Sequence, residues 1–79
     1  MEFKKTMKGL RERSSHLTNI ARDKNLGVGW DNRGSHYEVY IENESGDRIW
    51  EEIVLTRGIP TVLKIHDFWD IIEKELEKL

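Results

Sequence analysis

The sequence predicts an α+β domain with the element order α-β-β-β-α, in which both helices pack on one face of a three-stranded antiparallel sheet. The middle third alternates apolar and polar residues with the period of a half-buried strand, and each flanking third has apolar residues at helical spacing. A chain of 79 residues is short enough to form one domain over positions 1–79. With both helices on one face, the other face of the sheet is expected to be wet.

The central hairpin is the clearest element. Tyr37, Val39 and Ile41 alternate with Glu38, Tyr40 and Glu42. A turn containing Gly46 leads into a second strand, which ends at Leu55 and is joined closely enough to form an antiparallel hairpin. In this second strand the alternation predicts two faces. One face carries Ile49, Ile53 and Leu55, and the other carries Arg48, Trp50, Glu52 and Val54. The pattern leaves open which face is buried.

Helical spacing predicts a first helix from Lys4 to Arg22 that ends near Asn25, a residue suited to a C-terminal cap. The apolar stripe comprises Phe3, Met7, Leu10, Ser14, Leu17 and Ala21, with Ile20 beside it. The opposite face carries Lys5, Lys8, Arg11, Arg13 and Lys24. This basic face is either a solvated surface or a binding surface for an anionic partner.

The remaining elements are less regular. Residues 26–30 form a short strand candidate and residues 31–35 a turn. After Pro60, residues 61–65 fit either an edge strand or the approach to a helix. The second helix is predicted from Asp67 to Lys78, with Asp67 as N-cap and Asp70 as the acid of a weak capping box. Its stripe comprises Ile65, Phe68, Trp69, Ile72, Leu76 and Leu79.

Composition excludes several classes of protein. The chain has no cysteine, so it has no disulfide, thiolate metal site or catalytic cysteine, and we expect a cytoplasmic protein. No apolar run is long enough to span a membrane, so no membrane partner is expected. Residues 1–24 hold seven Lys or Arg and three acids, whereas residues 25–79 hold six and twelve. This asymmetry favours a basic surface on the first helix only.

Aromatic residues predict both a core and an interface. Trp30, Trp50 and Trp69 fall on three elements and are expected to meet in one core, because large aromatic side chains dominate burial in a small domain. Tyr40 and Trp50 are out of phase with the aliphatic residues of their strands. If they are exposed, they mark an interface, of which a homodimer is one form.

The segment from Arg33 to His36 stands out as a candidate site. His16 and His66 are interpreted as structural or solvated, and no histidine spacing fits zinc, so neither a metal nor a cofactor is predicted. His36 follows a glycine turn, where a partly exposed imidazole is suited to acid–base chemistry, and Ser35 and Arg33 could bind a phosphodiester. The alternative is that Gly34 and Ser35 only form the turn.

The element order, with Gly34, Ser35 and His36 opening the second strand, resembles the HicA family of toxin endoribonucleases and the double-stranded-RNA-binding domain whose fold that family shares. The resemblance implies that His36 is catalytic and that an antitoxin partner covers it. The chain departs from the family in its acidic net charge, in lacking the usual Pro-His after the hairpin, and in having only Lys64 at the start of the second helix.

The sequence therefore leaves two hypotheses. The first is a small non-enzymatic regulatory domain, of a kind encoded by phages and mobile elements, that binds an RNA or protein partner. The second is a HicA-like endoribonuclease that uses His36. An integrase-type DNA reader is disfavoured because the strands carry many glutamates. The candidate binding residues are Lys5, Lys8, Arg11, Arg33, Ser35, Tyr40 and Trp50.

Overall fold

The computed structural model of the protein describes residues 4–79. Its elements are α1 (Met7–Asp23), β1 (Gly27–Asn32), β2 (Tyr37–Glu42), β3 (Arg48–Val54) and α2 (Thr61–Glu77). The strands form one antiparallel sheet in the order β1-β2-β3. Helix α1 packs on β1, α2 packs on β2, and the helices contact each other. The predicted α+β class and element order are confirmed.

The core lies between the sheet and the two helices. Val39 and Ile41 of β2 are fully buried, and Phe68 of α2 is fully buried above them. The ring of Trp30 lies 5.2 Å from that of Phe68 and 5.4 Å from that of Trp69, centroid to centroid. Trp50 is partly buried and packs against the same cluster from β3. All three tryptophans therefore meet in one core, as the sequence predicted.

Helix α1 begins later than predicted. The hydroxyl of Thr6 accepts a hydrogen bond from the backbone N–H of Gly9 at 3.1 Å, so Thr6 is the N-cap and Lys4 lies outside the helix. Met7 is exposed, and Phe3 lies outside the described residues. At the other end, Asn25 has a positive φ of 59°, which confirms its predicted place at the helix C-terminus.

Helix α2 begins six residues earlier than predicted. Residues 61–65 are helical, and the backbone N–H of Lys64 bonds to the carbonyl of Pro60 at 2.9 Å. A proline fits the start of a helix because the N–H that it lacks has no intrahelical acceptor there. Asp67 therefore lies inside the helix and does not cap it. Asp70 is likewise no capping acid, because its carboxylate binds Arg13 and Lys5.

The interface between the helices contains a buried arginine. Arg13 was predicted on the solvated basic face of α1, but it is 5% exposed. Its guanidinium binds Asp70 and lies 3.4 Å from Nδ1 of the fully buried His66. Since a guanidinium has no acceptor, Nδ1 of His66 accepts, and Nε2 is left to donate to the carbonyl of Thr6 at 3.2 Å. The imidazole thus joins the start of α1 to α2.

The two helices run in the same direction. The carbonyl of Thr6 contacts His66 near the start of α2, and Nζ of Lys24 bonds to the carbonyl of Leu79 at the other end. Lys64 bonds to the hydroxyl of Tyr37, which begins β2. Both helix N-termini and the β1–β2 loop therefore lie at one end of the molecule.

The pairing of β3 with β2 shows which side chains of β3 face the helices, and this pairing contains a β-bulge. Ile41 pairs with Trp50, but the next residue of β2, Glu42, pairs with Arg48, so Ile49 is the extra residue. Trp50 faces the helices, whereas Arg48 lies on the other side of the sheet. Simple alternation would place both residues on the same side. We call the side that carries Arg48 the outer face. It carries Asp31, Glu38, Tyr40, Glu42, Arg48, Glu51 and Ile53.

Candidate functional site

The exposed side of α1 carries a straight row of polar side chains. Its members are spaced by three and four residues, which places them along one line of a helix. We call this row the α1 stripe; it comprises Lys8, Arg11, Ser15, Thr18 and Arg22. The 14 residue steps from first to last correspond to about 21 Å along the helix axis. The stripe therefore presents three cations and two hydroxyl groups along one side of the molecule.

An open groove of about 600 Å³ follows the α1 stripe. Its floor is formed by Trp30 of β1 with Ile65 and Trp69 of α2, and the four members of the stripe from Arg11 to Arg22 form its polar wall together with Ser14 and Asn19. Trp30 is half-buried, so part of its ring remains open to the groove. The described lining contains no acidic residue. Such a groove offers aromatic surface beside cations and hydrogen-bonding groups, which suits a ligand that carries negative charge and flat rings.

The predicted basic residues of the first helix have different environments. Arg11 lines the groove, and Lys8 is exposed one turn before it. Lys5 instead forms an ion pair with Asp70, with 3.0 Å between nitrogen and oxygen. Partial burial raises the pKa of Asp70, but the hydrogen bonds from Arg13 and Lys5 outweigh it and hold this pKa below its ordinary value. Lys5 therefore serves the contact between the helices.

The predicted catalytic histidine lies immediately before β2, with its side chain 26% exposed. Nδ1 of His36 lies 3.2 Å from the hydroxyl oxygen of Ser35, and Nε2 lies 3.7 Å from a carboxylate oxygen of Glu38. Gly34, with a φ of 89°, makes the turn that brings the backbone N–H of Arg33 to the carbonyl of His36. Serine, imidazole and carboxylate are thus held side by side at one corner of the sheet.

The carboxylate beside His36 is already paired. The side chain of Glu38 binds Arg33 at 3.0 Å and Arg48 at 3.1 Å, and these hydrogen bonds lower its pKa, with Arg33 the larger cause. Arg33 also lies 3.6 Å from Asp31. The guanidinium predicted to hold a phosphate therefore faces two carboxylates, with which a phosphate has to compete.

The two predicted interface aromatics are both partly covered. The ring of Tyr40 lies across Gly29, where a Cβ atom would come within 2.7 Å of the phenol oxygen. The guanidinium of Arg48 covers the same ring at 4.2 Å from its centroid, a cation–π contact. Trp50 faces α2 and lines a cleft with Lys74 and Lys78. Glycine thus makes room for Tyr40, while Trp50 belongs to the core side of the sheet.

Known proteins give no further guide to these surfaces. No family model matches the chain, and neither does any curated protein or solved structure. Among residues 4–79, no group of three or more histidine or acidic residues is arranged to hold a metal ion. None of the helices in that same range is long and apolar enough to cross a membrane.

Sequence reasoning found only the first half of the α1 stripe. Lys8 and Arg11 were identified from charge, but the hydroxyl residues and Arg22 were not. The signal was present in the spacing of three and four residues from Lys8 to Arg22. The floor of the groove could not be found in this way, because Trp30 and Trp69 are brought together only by tertiary packing.

Proposed function

We propose that the protein is a non-catalytic RNA-binding domain that holds RNA along the α1 stripe. The observation that carries the proposal is the groove itself, which Arg11 and Arg22 line together with Trp30. Arginine donates to phosphate oxygens in a planar fork, and an aromatic ring offers a stacking surface to a base of any sequence. One ligand that needs both kinds of contact is a nucleic acid.

The rest of the stripe favours RNA over DNA. Ser15 and Thr18 lie between the arginines and can both donate and accept a hydrogen bond, as the ribose 2′-hydroxyl can. The acids Glu12 and Asp23 fall on the side of α1 away from the groove floor. The outer face of the sheet has more acids than bases, so it repels phosphate and leaves α1 as the site of contact.

Fluorescence anisotropy with labelled RNA tests the proposal. Single-stranded and hairpin oligonucleotides are titrated with the wild-type protein and with the double variant Arg11→Gln/Arg22→Gln at several salt concentrations. If each arginine contacts one phosphate of a single strand, the variant's slope of log K against log salt is shallower by about 1.4, since about 0.7 is lost per contact. Affinity falls at every salt concentration tested.

The matched control is Arg57→Gln, which removes an exposed arginine outside the stripe. We expect Arg57→Gln to leave the slope within error of the wild-type value. Wild-type protein that binds neither form of RNA at low salt would refute the proposal. So would a loss per removed arginine that is the same in the Arg57 variant and in the double variant, because charge alone would then explain it.

A second candidate is the HicA-like endoribonuclease, favoured by the placement of Ser35 and Glu38 on either side of His36. In this reaction the imidazole takes the proton of a ribose 2′-hydroxyl, whose oxygen attacks the adjacent phosphorus. The bond to the 5′-oxygen breaks, that oxygen takes a proton, and the products are a cyclic phosphate and a 5′-hydroxyl. We rank it second because His36 lies beside Glu38 of the outer face, on the side of the sheet away from the α1 stripe.

The two candidates differ in their response to His36→Gln. If the protein cleaves RNA, labelled RNA incubated with wild-type protein gives shorter products, and His36→Gln stops their formation while RNA binding continues. If the protein only binds RNA, no cleavage occurs with either protein and their affinities agree. Growth arrest on expression, relieved by His36→Gln, would likewise favour the nuclease.

A further inference from the structure

Strand β3 is an open edge of the sheet. It is seven residues long and pairs with β2 on one side. Within residues 4–79, no strand pairs with its other side. An open edge presents backbone N–H and C=O groups that can bond to an added strand, and folded proteins usually protect such edges.

The side chains along this edge are unusually apolar for an exposed strand. Ile53 is 64% exposed, Ile49 is 48% exposed, and Leu55, just after the strand, is 76% exposed. Ile49, the extra residue of the bulge, and Ile53 stand on either side of Glu51 along the strand, and Glu51 is also exposed. The edge therefore offers a pattern of apolar, acidic and apolar side chains at alternate positions.

The charges at this edge disfavour a second copy of the same chain. The antiparallel register that pairs all seven residues of β3 with another β3 puts Glu51 directly opposite Glu51, and like charges at such positions are destabilising. The outer face as a whole is acidic, with Asp31, Glu38, Glu42 and Glu51 against Arg33 and Arg48. Arg48 already pairs with Glu51 at 2.9 Å, and a basic side chain from a partner adds to this pair on a face that keeps more acids than bases.

We propose that β3 binds an extended segment of a partner protein, which adds to the sheet as a fourth strand. The segment carries a basic residue opposite Glu51 and apolar residues two positions before and after it, opposite Ile49 and Ile53. The pattern of apolar, basic and apolar residues is the same in both chain directions, so it is compatible with both parallel and antiparallel addition to β3. Backbone hydrogen bonds supply affinity, and the alternate side chains supply specificity.

This surface is separate from the α1 stripe. The stripe and its groove lie on the helical side of the sheet, whereas Glu51 and Ile53 lie on the outer face. The proposal therefore stands whether or not the protein binds RNA. If both hold, a single chain joins an RNA on its helical side to a protein at its sheet edge.

The test uses the synthetic peptide Thr-Ile-Thr-Arg-Thr-Ile-Thr and the ¹⁵N-labelled full chain. Titration followed by NMR is expected to shift the amides of β3, from Arg48 to Val54, and to leave the α1 stripe unchanged. The isomer Arg-Thr-Ile-Thr-Ile-Thr-Thr has the same composition with the basic residue displaced, and we expect weaker binding. A peptide with alternate backbone nitrogens methylated keeps its charge but cannot donate to the edge, and it should not bind.

A charge exchange separates the proposed contact from loss of folding. With Glu51→Arg, the preference should reverse, so that Thr-Ile-Thr-Glu-Thr-Ile-Thr binds better than the arginine peptide by about 1.4- to fivefold, the range for a cross-strand ion pair. The proposal is overturned if the methylated peptide binds as well as the parent, if the preference does not reverse, or if the peptide does not shift β3. Concentration-dependent dimerisation through β3, seen by analytical ultracentrifugation, would also overturn it, since a second copy would then be the occupant.

Discussion

The substitution Arg13→Met tests whether the buried arginine holds the two helices together. Arg13 is almost fully buried and binds Asp70, with Nδ1 and the carbonyl of His66 within 3.4 Å and 3.3 Å. Methionine keeps the length and apolar contacts of the side chain but removes every donor. The carboxylate of Asp70 then loses its strongest partner at the interface, and the acceptors on His66 lose theirs.

The expected cost follows from burial. Removing one partner of a fully buried ion pair costs about 3–5 kcal/mol, whereas an exposed pair contributes about 0–1 kcal/mol. Asp70 is 43% exposed, so water can hydrate part of the carboxylate that is left behind. We therefore expect Arg13→Met to lower the free energy of unfolding by about 2–3 kcal/mol, between these limits. A domain of this size has about 4–12 kcal/mol in total.

Urea unfolding followed by tryptophan fluorescence measures this loss, because all three tryptophans contact the core. In a thermal melt, the same loss corresponds to a midpoint lower by about 10–20 °C. Lys5→Met is the control, since Lys5 binds the same carboxylate but is 48% exposed, and we expect a cost below about 1 kcal/mol. A free energy of unfolding for Arg13→Met within about 1 kcal/mol of wild type would refute the reasoning.

Three further predictions concern stability. Because the pKa of Asp70 is held below its ordinary value, its carboxylate stabilises the fold above the unfolded pKa of about 3.9, and this contribution is lost as the pH falls through the folded pKa. Asp70→Asn should therefore flatten the fall in unfolding free energy below about pH 4. Gly29→Ala should destabilise the protein by about 1 kcal/mol by displacing the ring of Tyr40, and the cost should vanish in a Tyr40→Ala background. Gly9→Ala should destabilise α1, although alanine is ordinarily favoured over glycine in a helix by about 1 kcal/mol. The reason is that the new Cβ would lie 1.9 Å from the carbonyl oxygen of Lys4. Circular dichroism melts show whether the substitution destabilises or stabilises the protein.

The fold could be predicted where burial imposes a period on the sequence. The hairpin partners Tyr37–Glu42 and Arg48–Val54 were located because strands that are buried on one face alternate. The start of α2 was missed because Asp67 resembles an N-cap residue, whereas the helix begins at Thr61, directly after Pro60. The face of Arg48 was also missed, because a bulge reverses the alternation and leaves no mark in the residue types.

The candidate site was less predictable than the fold. Arg13 and Arg11 look alike in sequence, yet one is buried between the helices and the other lines the groove. A buried arginine needs acceptors supplied from elsewhere in the chain, here Asp70 and His66, and such pairing across more than fifty residues is invisible to local patterns. The glycine turn before His36 was predicted, but the ion pairs that occupy Arg33 were not foreseen.

NMR mapping of bound RNA tests the central claim most directly. A single-stranded RNA is titrated into ¹⁵N-labelled protein, and the backbone amides of residues 8–22 and the indole N–H groups are followed. The account predicts shifts along the α1 stripe and at the indole of Trp30, with little change at His36. Shifts centred on His36 and the outer face of the sheet, with the stripe unaffected, would contradict it.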